Sequence, residues 1–180
     1  MSIYDLIKSM SLDLEKTEEI VDFLTNHLGG DWLLTGGSLV RLKFDVSRGT
    51  EDVDIVRMSH PDLSDEASRE KLFSWLIDKG LGPEWVNTAV EPFVKEILNW
   101  KNEVVEIYSG SKGKVFRPNI TLFVYLKLRR GTEIDLEDIK TVAPKCRESF
   151  DELKFRSWAS TKVIERLNTL RKHFDFSSLD

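Results

Sequence analysis

The stretch Trp32-Leu33-Leu34-Thr35-Gly36-Gly37-Ser38 constrains the fold of this chain more than any other. Its apolar residues read as a short buried strand and its glycine pair as a tight turn. Leu39, Val40, Leu42 and Phe44 then read as a helix, for which Ser38 supplies the N-cap. Arg48-Gly49-Thr50 turns the chain into a second strand, Val53-Asp54-Ile55-Val56. A strand, a glycine turn, a helix and another strand so close together predict a helix laid on a sheet.

The flanking periodicities extend that picture. Residues 13–28 place Ile20, Val21, Leu24 and Leu28 on one helical stripe, stopped by Gly29-Gly30. Ser64 and Asp65 open a helix with Leu72, Phe73, Leu76 and Ile77 on one face and Gly80 at its end. Segment 83–99 has no clear period, and its Pro83 and Pro92 read as first-turn helix residues. Val104 to Tyr108, the turn Gly110 to Gly113, and Val115-Phe116 predict a hairpin. Asn119 or Thr121 caps a helix that runs through Arg130 to Gly131. Shorter helical patterns follow after Asp135, near 146–153 and at 158–174. The expected fold class is α+β: a small mixed β-sheet flanked by helices, with a helical C-terminal part. The expected division is a core at 1–118 with N-terminal helices and a helical part at 119–180 packed on it.

Composition narrows the function classes. Hydrophobic residues make up 41% of the 180, with 10 Phe and 5 Trp, so a packed core is expected and the composition argues against global disorder. The net charge of -5 argues against an indiscriminate polyanion binder, although the charge is unevenly spread. Residues 1–100 carry 10 basic and 19 acidic side chains, residues 101–180 carry 16 and 12. One cysteine, Cys146, excludes an internal disulfide and a thiolate zinc cage, and His27, His60 and His173 lack metal-ligand spacing. There is no run of eighteen apolar residues and no apolar leader flanked by basic residues. A cytoplasmic protein with no membrane partner is expected.

The chemistry concentrates at Asp52 and Asp54. Carboxylates at i and i+2 of a strand project from one face, so both can reach one Mg²⁺, which commonly takes one or two protein carboxylates plus phosphate oxygens. Gly36 and Gly37 let backbone N–H groups approach a phosphate, and Ser38 stands at a helix N-terminus, where anions are favoured. Taken singly, Asp-x-Asp also fits a solvated turn and Gly-Gly a plain strand exit. Their succession within one supersecondary unit brings a cation site and a phosphate site together.

Thr35-Gly36-Gly37-Ser38-Leu39-Val40 with Arg48-Gly49-Thr50-Glu51-Asp52-Val53-Asp54-Ile55 resembles the nucleotidyltransferase superfamily of the DNA polymerase β type. It looks most like small bacterial and archaeal members related to AbiEii toxins or to antitoxin-like proteins, and is also similar to aminoglycoside nucleotidyltransferases. Leu126-Lys127-Leu128-Arg129-Arg130 followed by Asp135-Leu136-Glu137-Asp138 looks like the downstream Lys-x-x-Arg…Asp-x-x-Asp element of the first group. The resemblance implies a nucleotidyltransferase fold and transfer of a nucleoside monophosphate from an NTP to an acceptor hydroxyl, with pyrophosphate leaving. The implied acceptor is RNA such as a tRNA end, a protein or a small molecule, and a cognate toxin or antitoxin partner is implied as well. Asp52 and Asp54 would bind Mg²⁺. Gly36, Gly37 and Ser38 would hold phosphates, with Lys127 and Arg130 adding positive charge. A third carboxylate is expected on a later strand, and Glu106, between apolar neighbours in Val104-Val105-Glu106-Ile107-Tyr108, is the candidate, with Glu103 the weaker substitute. Asp135 fits helix capping equally, and Asp138 a pairing with Lys127 or Arg130. The competing class is a non-catalytic binding module on the same fold, which loss of the third carboxylate would favour.

Overall fold

The structure, a computed structural model, describes residues 14–172. Residue 13 of the first predicted helix, the last residues of the final one and His173 lie outside the described residues. The chain divides into two compact units. One comprises the chain up to Glu91 together with Val105–Arg117; the other comprises Pro92–Val104 and the chain from Pro118 onward. Residues 92–104 thus group with the helical C-terminal part, which the expected boundary at 118 did not provide for.

In the first unit, helix α1 (Leu14–Asp22) runs into a π-helical turn, Phe23–Leu28, that ends at Gly29 with φ of 88°. Strand β1 (Gly30–Thr35) passes directly into α2 (Gly36–Lys43), and β2 (Val53–Ser59), α3 (Asp65–Asp78) and the two-residue strand β3 (Val86–Asn87) follow. Strands β4 (Val104–Ser109) and β5 (Gly113–Pro118) form the predicted hairpin. The sheet order is β3-β2-β1-β5-β4, with β1 antiparallel to β2, parallel to β5, and β2 parallel to β3. The sheet is therefore mixed, as its sequence pattern predicts.

Burial explains why β1 is central. Successive strand residues point to opposite faces, yet Leu33 and Leu34 are both 0% exposed, so both faces of the strand are covered. Trp32 is buried as well and donates its indole N–H to the Gly29 carbonyl at 2.8 Å. The hairpin tip is tied to the π-helical turn: Lys112 N–H donates to Thr25 O at 3.0 Å and Ser111 N–H to Asn26 Oδ1 at 2.8 Å. At the exit of β2, His60 Nδ1 accepts from the backbone N–H groups of Asp62 and Leu63, which puts its ring proton on Nε2, 3.0 Å from Leu28 O. Ser64 caps α3 through the Ala67 N–H as expected, and Leu72 and Leu76 are buried. Ile77, placed with them by spacing, is 64% exposed, so the buried stripe is narrower than the periodicity implies.

In the second unit, α5 (Ile120–Arg130) is the core helix, buried at each position from Ile120 through Tyr125. A helix apolar all round must be enclosed by others. Helices α6 (Glu133–Val142), α7 (Glu152–Trp158) and α8 (Thr161–Arg171) supply Ile139, Phe155 and Leu167, each 0% exposed. Short α4 (Glu91–Lys95) begins at the boundary between the units. Asn119 caps α5, accepting from Leu122 N–H at 2.9 Å. At the other end Gly131, with φ of 68°, stops the helix. There the Arg166 guanidinium donates to the Leu128 and Arg129 carbonyls at 2.7 and 2.8 Å. Among the described residues no helix is long and apolar enough to cross a membrane.

Because both faces of β1 are covered, Leu33→Ala and Leu34→Ala should each lower the unfolding free energy by ~2–5 kcal/mol. Urea denaturation measures this. A cost below ~1 kcal/mol for either one would mean that its face of the strand is open to water.

Candidate functional site

The site begins with the register of β1 and β2. Thr35 pairs with Asp54, Leu34 with Ile55 and Leu33 with Val56, so the end of β1 lies beside the start of β2. The residue after Thr35 is Gly36, the first of α2, with φ of 67°. A Cβ built on Gly36 would overlap the Asp54 carboxylate. The carboxylate thus rests on the opening turn of α2, in space that only glycine leaves, and on backbone torsions that side chains rarely adopt. At Gly37 a Cβ would stand 2.9 Å from Thr50 Oγ1 and 3.2 Å from Arg48 Nη2, so the loop before β2 closes over the second residue of the helix. Thr50 Oγ1 donates to the Asp52 carbonyl at 3.1 Å, which holds that loop in place.

Ser38 has a different place from the one its spacing predicts. The helix begins at Gly36, its N-cap is Thr35 without a side-chain cap bond, and Ser38 is the third helical residue. Its hydroxyl is 0% exposed and donates back to Thr35 O at 3.2 Å. The first-turn N–H groups of Gly36, Gly37 and Ser38 precede any intrahelical partner, as at every helix start.

Asp52 and Asp54 are half-buried and flanked on the outer side by β3, whose Asn87 is in register with Asp54. Asn87 Nδ2 donates to Asp52 Oδ2 at 3.0 Å, while its Oδ1 accepts from Ala89 N–H at 2.8 Å. That second bond fixes which end of the amide faces Asp52. Glu106 is not brought to this cluster. It lies on β4, three strand spacings from β2, or ~14 Å at ~4.8 Å each. Its carboxylate is exposed and bonded to Lys114 Nζ at 2.6 Å, which raises the Lys114 pKa. Glu103 sits in the second unit and receives Lys154 Nζ at 2.9 Å and Asn119 Nδ2 at 2.8 Å. Among the described residues, no three His, Cys, Asp or Glu side chains are grouped as a ligand set.

The second predicted block forms a charge cluster within its own unit. Lys127 is 5% exposed, with Nζ 2.6 Å from Asp138 Oδ2 and 3.3 Å from Asp135 Oδ1. Arg130 donates through Nε to Asp135 at 2.7 Å. Asp135 also completes a capping box, accepting from Thr132 N–H while Thr132 Oγ1 accepts from Asp135 N–H. Burial pushes the Asp135 pKa up, but its bonds from Arg130 and Thr132 and the Lys127 charge outweigh that and hold it at about 2. The capping and pairing roles open to Asp135 and Asp138 in the sequence are thus both occupied. Asn87 is the site residue that sequence reading missed, because a two-residue strand after a proline turn carries no period.

Comparison with known proteins adds no relative: no protein-family model, curated protein or solved structure matches the chain.

Gly36→Ala should cost ~1–3 kcal/mol, from left-handed backbone strain and the displaced Asp54 carboxylate. Gly49→Ala, where a Cβ meets nothing within 4 Å, should change stability by less than ~0.5 kcal/mol. Parallel thermal melts compare them. The Asp135 carboxyl is held below its unfolded value of ~3.9, so its stabilisation is fully present above that pH. It is lost as pH falls through about 2. Asp135→Asn should lower stability by about 3 kcal/mol at pH 7 and flatten the loss of stability between pH ~4 and ~2. Melting temperature against pH for both proteins checks this.

Proposed function

We propose that the chain is a Mg²⁺-dependent nucleotidyltransferase that moves a nucleoside monophosphate from an NTP onto an acceptor hydroxyl and releases pyrophosphate. The observation that carries this reading is the Asp54 carboxylate seated on Gly36 at the opening of α2, with Asp52 two residues before it. Two carboxylates fit Mg²⁺, which takes one or two such ligands and completes its shell with substrate phosphates and water. The space a Gly36 Cβ would fill keeps carboxylate and helix start together. Asp52 and Asp54 would hold the ion, which when bound neutralises phosphate charge and polarises the phosphoryl group. The backbone N–H groups at Gly36 and Gly37 would face the triphosphate, with the helix dipole favouring its charge.

This reading assigns no substrate contact to the Ser38 hydroxyl, Lys127 or Arg130. The hydroxyl is bonded to Thr35, and both cations are bonded to acidic partners in the second unit. Glu106 is likewise left out. The acceptor, whether RNA, protein or small molecule, and a toxin–antitoxin setting are not distinguished by these residues.

A second reading has an observation of its own. An amide, that of Asn87, and not a third carboxylate stands beside Asp52 and in register with Asp54, which favours a non-catalytic binding module on the same fold, an antitoxin-like partner protein.

The test uses NTP labelled at the α-phosphorus with Mg²⁺ and total tRNA, the protein itself and aminoglycosides as acceptors. Transfer should fall at least ~100-fold in Asp52→Asn/Asp54→Asn. Transfer that persists unchanged in the double variant would sink the catalytic assignment. If label never moves, but Mg²⁺-NTP raises the melting temperature of the wild type and not of the double variant, the non-catalytic reading replaces it.

A further inference from the structure

Asn87 joins the site through two bonds of fixed direction. Ala89 N–H at 2.8 Å takes the amide oxygen, so the amide nitrogen must be the end that meets Asp52 Oδ2 at 3.0 Å. An amide N–H donates only. It satisfies one oxygen of Asp52 without adding charge, and Oδ1 is the oxygen left to coordinate. The parallel register of β3 with β2 places this same residue beside Asp54, so position 87 neighbours both carboxylates at once. It is the position from which another acidic side chain would reach an ion they share, and the chain has put a neutral donor there.

From this we propose that Asn87 is a positioning residue that sets the ligand class of the site: a divalent cation is taken up as its nucleoside triphosphate complex and not as the free ion. This rests on the nucleotide-binding reading above. Two carboxylates offer a lone divalent cation few ligands and only enough charge to neutralise it, and the amide takes one oxygen of Asp52. The phosphate oxygens of the nucleotide supply the remainder. A third carboxylate would add a ligand and a negative charge, and so hold the free ion more tightly.

The experiment measures Mn²⁺ binding by electron paramagnetic resonance, with and without a non-hydrolysable NTP analogue, and follows melting temperature in the same solutions. The wild type should bind free Mn²⁺ weakly and Mn²⁺ with analogue at least ~10-fold more tightly. Asn87→Asp should bind free Mn²⁺ at least ~10-fold more tightly than wild type and show a larger Mn²⁺-dependent rise in melting temperature, since the ion relieves repulsion between adjacent carboxylates. Asn87→Ala should weaken binding of Mn²⁺ with analogue ~3- to 10-fold while folding as wild type does. Equal free-ion affinity in wild type and Asn87→Asp, with binding still abolished in Asp52→Asn/Asp54→Asn, would overturn the role of Asn87 alone. Undiminished binding in Asp52→Asn/Asp54→Asn would overturn the nucleotide reading beneath it. If Asn87→Asp does not fold, Asn87→Ala decides: unchanged binding of Mn²⁺ with analogue overturns the proposal.

Discussion

The first unit depends on a contact between a carboxylate and a missing side chain. Asp54 lies where a Cβ of Gly36 would be, and that overlap links three things that sequence presents separately: the end of β1, the opening of α2 and the start of β2. Any side chain at position 36 would have to displace the carboxylate or shift the helix against the strand pair. Gly36 also carries a positive φ, so torsion and space make the same demand. The loop from Arg48 to Asp52 follows from this contact, since it must fold back over Gly37 to deliver Asp54 to its register.

The second unit is organised by the opposite device, a buried charge with its partners supplied in full. Lys127 would cost several kcal/mol if enclosed alone, and Asp138 and Asp135 meet it from the next helix. Asp135 also binds Arg130 and Thr132, so one carboxylate closes the turn between α5 and α6 and fixes how the second helix leaves the first. Such a cluster tolerates little rearrangement at its buried members, because loss of Lys127 or Asp138 leaves charge poorly compensated in a dry environment.

Much of this was legible in the sequence where a local rule decides the outcome. The strand at Trp32 to Leu34, the Asp-x-Asp strand, the hairpin around Gly110 to Gly113, and the caps at Ser64 and Asn119 follow from apolar runs and turn or cap chemistry acting over a few residues. What was not legible depended on partners distant in sequence. Ser38 reads as a cap by composition, but the N-cap is Thr35, three residues earlier, because Gly36 takes the torsion of the turn. Lys127 reads as a cation for phosphates with a pairing to Asp138 left open, and the turn at Gly131 decides between them by bringing Asp135 and Asp138 back over it. Glu106 lies between apolar neighbours on a predicted strand, which also suits an outward-facing residue, and strand order, which no local pattern encodes, sets it far from Asp52 and Asp54.

The π-helical turn at Phe23–Leu28 has a consequence for how this chain can vary. By widening, the helix gives up carbonyls from its own ladder, and Thr25 O is taken instead by the N–H of Lys112 at the hairpin tip. Gly110 presses against the same carbonyl closely enough that a side chain there would collide with it. Hairpin tips are ordinarily where natural chains lengthen, accept tags or are cut by proteases. Here the tip is backbone-bonded to a helix, so length variation among descendants of this sequence would be expected at exposed Val46, ahead of the loop that closes over Gly37, and not at the hairpin.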